Sequence, residues 1–286
     1  MSNYLTRKTS NKFYECLLLL ILLPIIGFSL YKYGYLDYSK GLVSLLASFK
    51  VLWLLLINII ITFISSNILK DNYSYKYYET IILTLLLPIR IPYIIDIIGV
   101  LIYNLIRKYL CNYHLNNIAI SKLLITVCLM ILNKNNYLSL YQEQVNSLYT
   151  TSDLIWGASI GSIGSNNLVI LILCYLLLCN VTVYKKDIPW YAIIGYTLTL
   201  GIYGLINNNL IDLMKLTLNS TVLFSIIFVS SINISSPVGR KLRRIYGLLV
   251  GILSFIFLMI NPYDATVLGV VISNLICNFI CEFLLN

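Results

Sequence analysis

The chain has one histidine, His114, in 286 residues. A histidine metal site or a Ser/His/Asp triad therefore has almost nothing to draw on. Charge is scarce as well, with 11% of residues charged against 59% hydrophobic. A soluble domain of this size carries more charge on its surface, so a soluble reading is excluded. There is no P-loop and no metal-ligand spacing, and enzymatic hydrolysis is not expected. A cleavable signal is missing too. The run Cys16–Leu30 has no small-residue cleavage site, and the following loop carries Lys and Asp, so this run reads as a first span.

What the chain does have is repeated apolar runs near the ~20 residues that cross ~30 Å of hydrocarbon. They fall at 13–31, 51–69, 79–91, 92–106, 119–133, 168–184, 189–206, 216–234, 244–260 and 266–285. The net charge of +9 sits at span ends: Arg7, Lys8 and Lys12; Arg107 and Lys108; Lys185 and Lys186; Arg240, Lys241, Arg243 and Arg244. Lys and Arg are held on the cytoplasmic side of spans, so orientation accounts for the charge and no nucleic-acid partner is expected. With Arg7–Lys12 inside, alternate counting also puts Lys70 and Lys76 inside. The Asn/Tyr-rich loop 134–153 and the loop Asn207–Lys215 then fall outside. The expectation is an all-α polytopic membrane protein of about ten transmembrane helices, with both termini cytoplasmic. It forms a single membrane domain: tail 1–12, first half 13–133, external loop 134–153 and second half 154–286.

Two spans look broken. Pro88-Ile-Arg-Ile-Pro92 ends a short apolar run, and proline both removes an N–H and clashes with the preceding turn. Ser230-Ser-Ile-Asn-Ile-Ser-Ser-Pro237 puts a polar end on another span. Broken helices at matching places in two halves point to internal repeats around a central site. A third irregular stretch is the Gly/Ser/Asn tract Gly157–Asn167, set directly against the apolar run Leu168–Leu178. Non-helical backbone near membrane depth survives only where it is buried or lines a cavity. A helix start there, capped by Ser165 or Asn166, would attract an anion such as phosphate. Close helix packing through small residues explains the same spacing.

Four ionisable residues fall within or beside spans: Lys50, Arg90, Asp96 and Lys122. Lys50 and Lys122 lie near span starts and can snorkel. Asp96 can pair with Arg90, as a structural ion pair or as part of a cation path. The seven cysteines lie mostly inside apolar runs. Cys277 and Cys281 share a helix face, but small apolar residues in spans are the simpler reading.

Together these pieces resemble the membrane family of the Rnf electron transport complex D subunit and the sodium-translocating NADH:quinone reductase B subunit. Asp153-Leu-Ile-Trp-Gly-Ala-Ser-Ile-Gly-Ser-Ile-Gly164 is similar to the family's D-L-F-x-G-x-x-x-G-S-I-G-E-T-S, with Ser165, Asn166 and Asn167 replacing E-T-S. Phe228–Pro237 resembles F-M-A-T-D-P-V-T-S-P and keeps Phe228, Ser236 and Pro237, with Ile232 at the Asp and Asn233 at the first Pro. Ile245-Tyr-Gly247, Gly251 and Asn274 continue the match. Leu87–Pro92 resembles L-P-P-x-x-P, followed by Gly99 and Lys108, and Asn117 alone survives from G-G-x-G-x-N-x-F-N-P-A.

The resemblance implies ten spans in two related halves, within a bacterial inner-membrane complex that passes electrons to drive sodium or protons across the membrane. It also implies FMN esterified to a threonine in an S-G-A-T-P-L-type motif. This chain has no such motif: Ser139, Ser147, Thr150, Thr151 and Ser152 lie in that region without its context. The expected contacts to a non-covalent FMN, riboflavin or quinone are Gly161, Ser162, Gly164, Ser165 and Asn117. Pro88, Pro92, Ser236 and Pro237 shape the breaks, and Arg90 and Asp96 mark an ion path. A non-redox channel or secondary transporter on the same scaffold, or a structural subunit, is the alternative.

Overall fold

A computed structural model describes residues 11–110, 115–132, 150–157, 161–165, 167–219, 222–232, 235–261 and 264–285. The tail 1–10, most of the loop 134–153 (with Ser139 and Ser147), His114 and Asn166 lie outside the described residues. Among the described residues the chain is helical and has no strand. Four helices are long and apolar enough to cross a membrane, and three more are shorter and apolar.

Helix α1 runs Asn11–Ser39 and passes through a π-helical turn at Tyr31–Leu36. A short α2, Leu45–Ser48, leads into α3, Lys50–Ile68. Then come α4 (Lys76–Leu86), α5 (Tyr93–Leu110) and α6 (Asn117–Ile131). The one-and-a-half-turn α7 (Thr151–Trp156) precedes the tract, followed by α8 (Leu168–Leu178) and α9 (Asp187–Ile206). Helix α10 (Leu210–Asn219) is followed by α11, which is Val222–Phe224 continued by a π-helical turn at Ser225–Val229. The chain closes with α12 (Arg240–Ile260) and α13 (Ala265–Leu285). Within the run expected as one span over 216–234, the described residues of α10 end at Asn219 and those of α11 begin at Val222.

Two short helices sit at the centre. Every residue of Tyr78–Leu87 is buried, as are Phe224–Ile232. A helix buried on every side needs neighbours all round it, and on α4 they also bond the Glu79, Thr80 and Thr84 side chains. Leu85 and Phe224 both flank Gly164, while Glu79 lines a cavity together with Phe228 and Ser231. The two helices therefore lie side by side in opposite directions. Each ends in a break, α4 at Leu87–Pro92 and α11 at Ser230–Gly239, so both expected breaks are present.

Polarity is turned outside in. Leu20, Phe63, Ile64, Leu173, Ile202, Leu205 and Phe279 are exposed, while Asn58, Thr62, Glu79, Thr84, Asp96 and Asn274 are buried. Lipid accepts the former, and the latter are kept away from it. Helices α9 and α12 meet backbone to backbone. A Cβ on Gly195 would lie 2.7 Å from Leu248 O, one on Gly247 would lie 2.7 Å from Ile188 O, and one on Gly251 would collide with Ala192 O. Gly247-Leu-Leu-Val-Gly251 is thus a working G-x-x-x-G face.

Candidate functional site

The glycine tract docks on the first break. Ile163 N–H donates to Leu87 O at 3.0 Å and Gly164 N–H to Leu85 O at 2.7 Å, while Ser162 bridges Pro88 as an antiparallel pair. Because α4 stops at Leu86, its last carbonyls have no helical N–H to accept, and the tract supplies two. Helix α1 holds the other side: Ser29 Oγ donates to Ile163 O at 2.6 Å and Tyr33 Oη to Gly161 O at 3.1 Å. Ser162 Oγ donates to Ser165 Oγ at 2.8 Å. All five residues Gly161–Ser165 are buried. Gly164 must lack a side chain, since its Cβ would sit 2.7 Å from the Phe224 ring and 2.9 Å from Leu85 Cβ.

This geometry brings Pro88, Gly161, Ser162, Gly164 and Ser165 together, and it uses three of the tract's N–H donors within the chain. The N–H groups of Ile163, Gly164 and Ser165 go to Leu87 O, Leu85 O and Ser162 O. The helix start expected at Ser165 or Asn166 is at Asn167 instead. Its side chain accepts from Ile170 N–H at 3.0 Å and donates to Trp156 O at 3.2 Å. Asparagine spans both ends of the tract in a way serine cannot, because its amide carries an acceptor and a donor. Upstream, Thr150 and Asp153 form a capping box, which places the Thr150 hydroxyl on Asp153 Oδ2 at 2.6 Å. That bonding holds the exposed Asp153 carboxyl below its ordinary value.

The second break is clamped by the loop before α9. Lys185 Nζ donates to Ser236 O at 2.7 Å and to Ser236 Oγ at 2.8 Å, and Tyr184 Oη donates to Ile227 O at 2.8 Å. Burial, and then the charge of Arg243, lowers the Lys185 ammonium to about 8. Pro237 is partly buried next to this clamp. Asn117 is buried as the first residue of α6, and its Oδ1 has no partner. Its neighbour Asn116 does the capping and reaches Val229 O at 2.8 Å.

The expected ion pair of Arg90 with Asp96 is not formed. Arg90 is exposed at the break, whereas Asp96 is fully buried and accepts from Asn58 Nδ2 at 3.1 Å. The break turns the chain between the two residues, so they face opposite ways. Lys50 places its ammonium over the Tyr93 ring, 5.4 Å from the centroid. Lys122 does not snorkel. It is buried and paired with Asp264 Oδ1 at 2.7 Å, with Thr126 bonded to both. Asp264 was not singled out from sequence, and its partner lies 142 residues away. Its only local signal is a carboxylate at the start of an apolar run.

A second polar cluster lies at the mouth between α3 and α4. Glu79 accepts from Tyr73 Oη at 2.5 Å and Tyr103 Oη at 2.7 Å. Arg107 bonds Asp71 at 2.8 Å and stacks over both rings. Burial pushes the Asp71 carboxyl up, but the Tyr73 N–H and the Arg107 guanidinium outweigh it and hold the group below its ordinary 3.8. Beside this cluster lies a cavity of about 20 Å³ lined by Glu79, Tyr73, Tyr184, Phe228 and Ser231. It has room for about one water.

Over residues 1–285 the sequence matches the NQR2, RnfD, RnfE family. The chain belongs to that family. No individually curated protein sequence matches it. Family membership makes it a membrane subunit of an ion-translocating complex. The tract's Ile163, Gly164 and Ser165 amides are occupied, and the cavity lined by Ser29, Ile163, Gly164 and Asn167 does not admit a water. Those three amides are therefore not free to hold a flavin phosphate.

Proposed function

We propose that this chain is the membrane-embedded, ion-conducting subunit of a redox-driven ion-translocating electron transport complex in the bacterial inner membrane. Its tract acts as a joint that fixes the first break, rather than as an internal flavin cradle. The observation that carries this reading is the docking of Ile163 and Gly164 on Leu87 and Leu85, in a chain that matches the family from end to end. A flavin phosphate or quinone head belongs at this surface only where a partner subunit completes the pocket.

The architecture we assign is ten crossings in two related halves, with both termini cytoplasmic. Helices α1, α3, α4, α5 and α6 form the first half, and α8, α9, α10 with α11, α12 and α13 the second. The support is a shared order: in each half a short buried helix ends in a break, and two packed helices follow.

The test is affinity purification through this chain, followed by identification of co-purifying subunits, visible absorption and in-gel flavin fluorescence. The reading expects redox subunits in the complex and no flavin band on this chain when it is isolated. A chain that purifies alone, colourless, and moves solute in liposomes would instead be a channel or secondary transporter.

A further inference from the structure

Helices α3 and α4 face each other through two polar stripes of equal period. Asn58, Thr62 and Ser66 stand four residues apart on α3, as do Lys76, Thr80 and Thr84 on α4, and that spacing puts each set on one face. The stripes are joined rung by rung. Lys76 Nζ donates to Ser66 Oγ at 3.0 Å, the Thr62 and Thr80 hydroxyls are 3.0 Å apart, and Asn58 Nδ2 donates to Thr84 Oγ1 at 2.8 Å. All but Lys76 are buried. The seam runs inward from the turn Leu69–Tyr75 and ends on Asp96, where the same Asn58 amide donates at 3.1 Å to Oδ1.

At that inner end two acceptors face no donor. Asn58 Oδ1 and Asp96 Oδ2 are buried and unpaired, on residues with 0% exposure. A buried acceptor without a partner costs about 1–3 kcal/mol, and an ionised carboxylate costs more. One proton on Asp96 Oδ2, donated to Asn58 Oδ1, satisfies both atoms at once. It leaves Asn58 Nδ2 on Asp96 Oδ1, which is the two-bond ring of a carboxylic acid with a primary amide. A hard metal cation needs about six oxygen ligands, whereas here an amide N–H points inward. Lys50 on α3 is the charged group that acts on Asp96. Helix α4 offers it Thr84, and on α6 Lys122 is bound to Asp264.

We propose that Asp96, at the inner end of this seam, is a proton-carrying site that holds one proton as the carboxylic acid against Asn58. The Oδ2–H bond forms on loading and breaks on release. A proton enters and the same charge leaves, and no electron or heavy-atom bond changes. This deepens the ion-translocation reading, on which its purpose rests, by naming the proton as the ion carried.

The test is infrared spectroscopy of the full chain in nanodiscs at neutral pH, comparing wild type with Asp96→Asn. The difference spectrum should contain a protonated-carboxyl carbonyl band that shifts in heavy water and is unchanged by sodium. Asn58→Leu, which removes the amide partner, should keep the band but move it to higher frequency, as a carboxylic acid that has lost its hydrogen-bond acceptor does. Absence of the band from the wild-type-minus-variant spectrum, its loss on adding sodium, or an unmoved band in Asn58→Leu would overturn the proposal. Asp96→Asn is isosteric and keeps an acceptor for Asn58, so a matching thermal melt confirms a folded control. None of these readouts involves electron transfer, so failure of the complex assignment leaves the result interpretable.

Discussion

Single residues set the tightest limits. A methyl added at Gly251 meets the backbone of Ala192 and lies 2.7 Å from Tyr196 N, whereas one at Gly164 meets mainly the Phe224 ring. A ring can rotate away, but a packed helix backbone cannot. Overpacking in cores costs about 1–3 kcal/mol. Gly251→Ala should therefore lower the melting temperature in detergent more than Gly164→Ala, and the opposite order would contradict the packing described for α9 and α12. Asp71 makes a pH prediction. Its carboxyl is held below 3.8 in the folded chain, so its contribution is fully present above 3.8 and is lost as pH falls through the lower folded value. Asp71→Asn should cost about 2 kcal/mol at neutral pH, the scale of a hydrogen bond to a charged group. The difference between wild type and variant should close in acid, which a pH series of melts would record.

At the scale of elements, the two breaks organise the interior, and each is held by a segment distant in sequence. The second depends on Lys185 gripping Ser236. An ammonium lowered to about 8 from 10.5 weighs against folding while it stays charged. That penalty is complete below about 8 and is relieved as pH rises towards 10.5, because the unfolded chain then holds a proton that the folded one has lost. Wild type should gain stability relative to Lys185→Met between pH 8 and 10.5, and a parallel pair of curves would refute the assignment. The breaks were legible in sequence because proline and clustered serine leave local marks, as at Pro88, Pro92 and Pro237. Glycine spacing marked the tract. The π-helical turns were not legible, since Ser225–Val229 reads as ordinary apolar helix. Nor were pairings across the fold: the partner of Lys122 is Asp264 and that of Asn58 is Asp96, and nothing local specifies either. The expected Arg90–Asp96 pair failed because sequence proximity does not survive a chain break.

At the scale of the molecule, apolar side chains face outward and a polar seam runs inward, which suits a protein dissolved in lipid with a path through its interior. The tract and the first break close one side of that interior, and the Lys185 clamp holds the other. The central claim is that this interior carries ions when electrons move through the assembled complex. The direct measurement is ion uptake by proteoliposomes holding the complex purified through this chain, with and without an oxidisable electron donor. The account predicts lumen acidification or alkalinisation that starts on donor addition and is lost in the Asp96→Asn complex while electron transfer persists. Ion movement that is indifferent to the donor, or donor-driven uptake unchanged by Asp96→Asn, would contradict it.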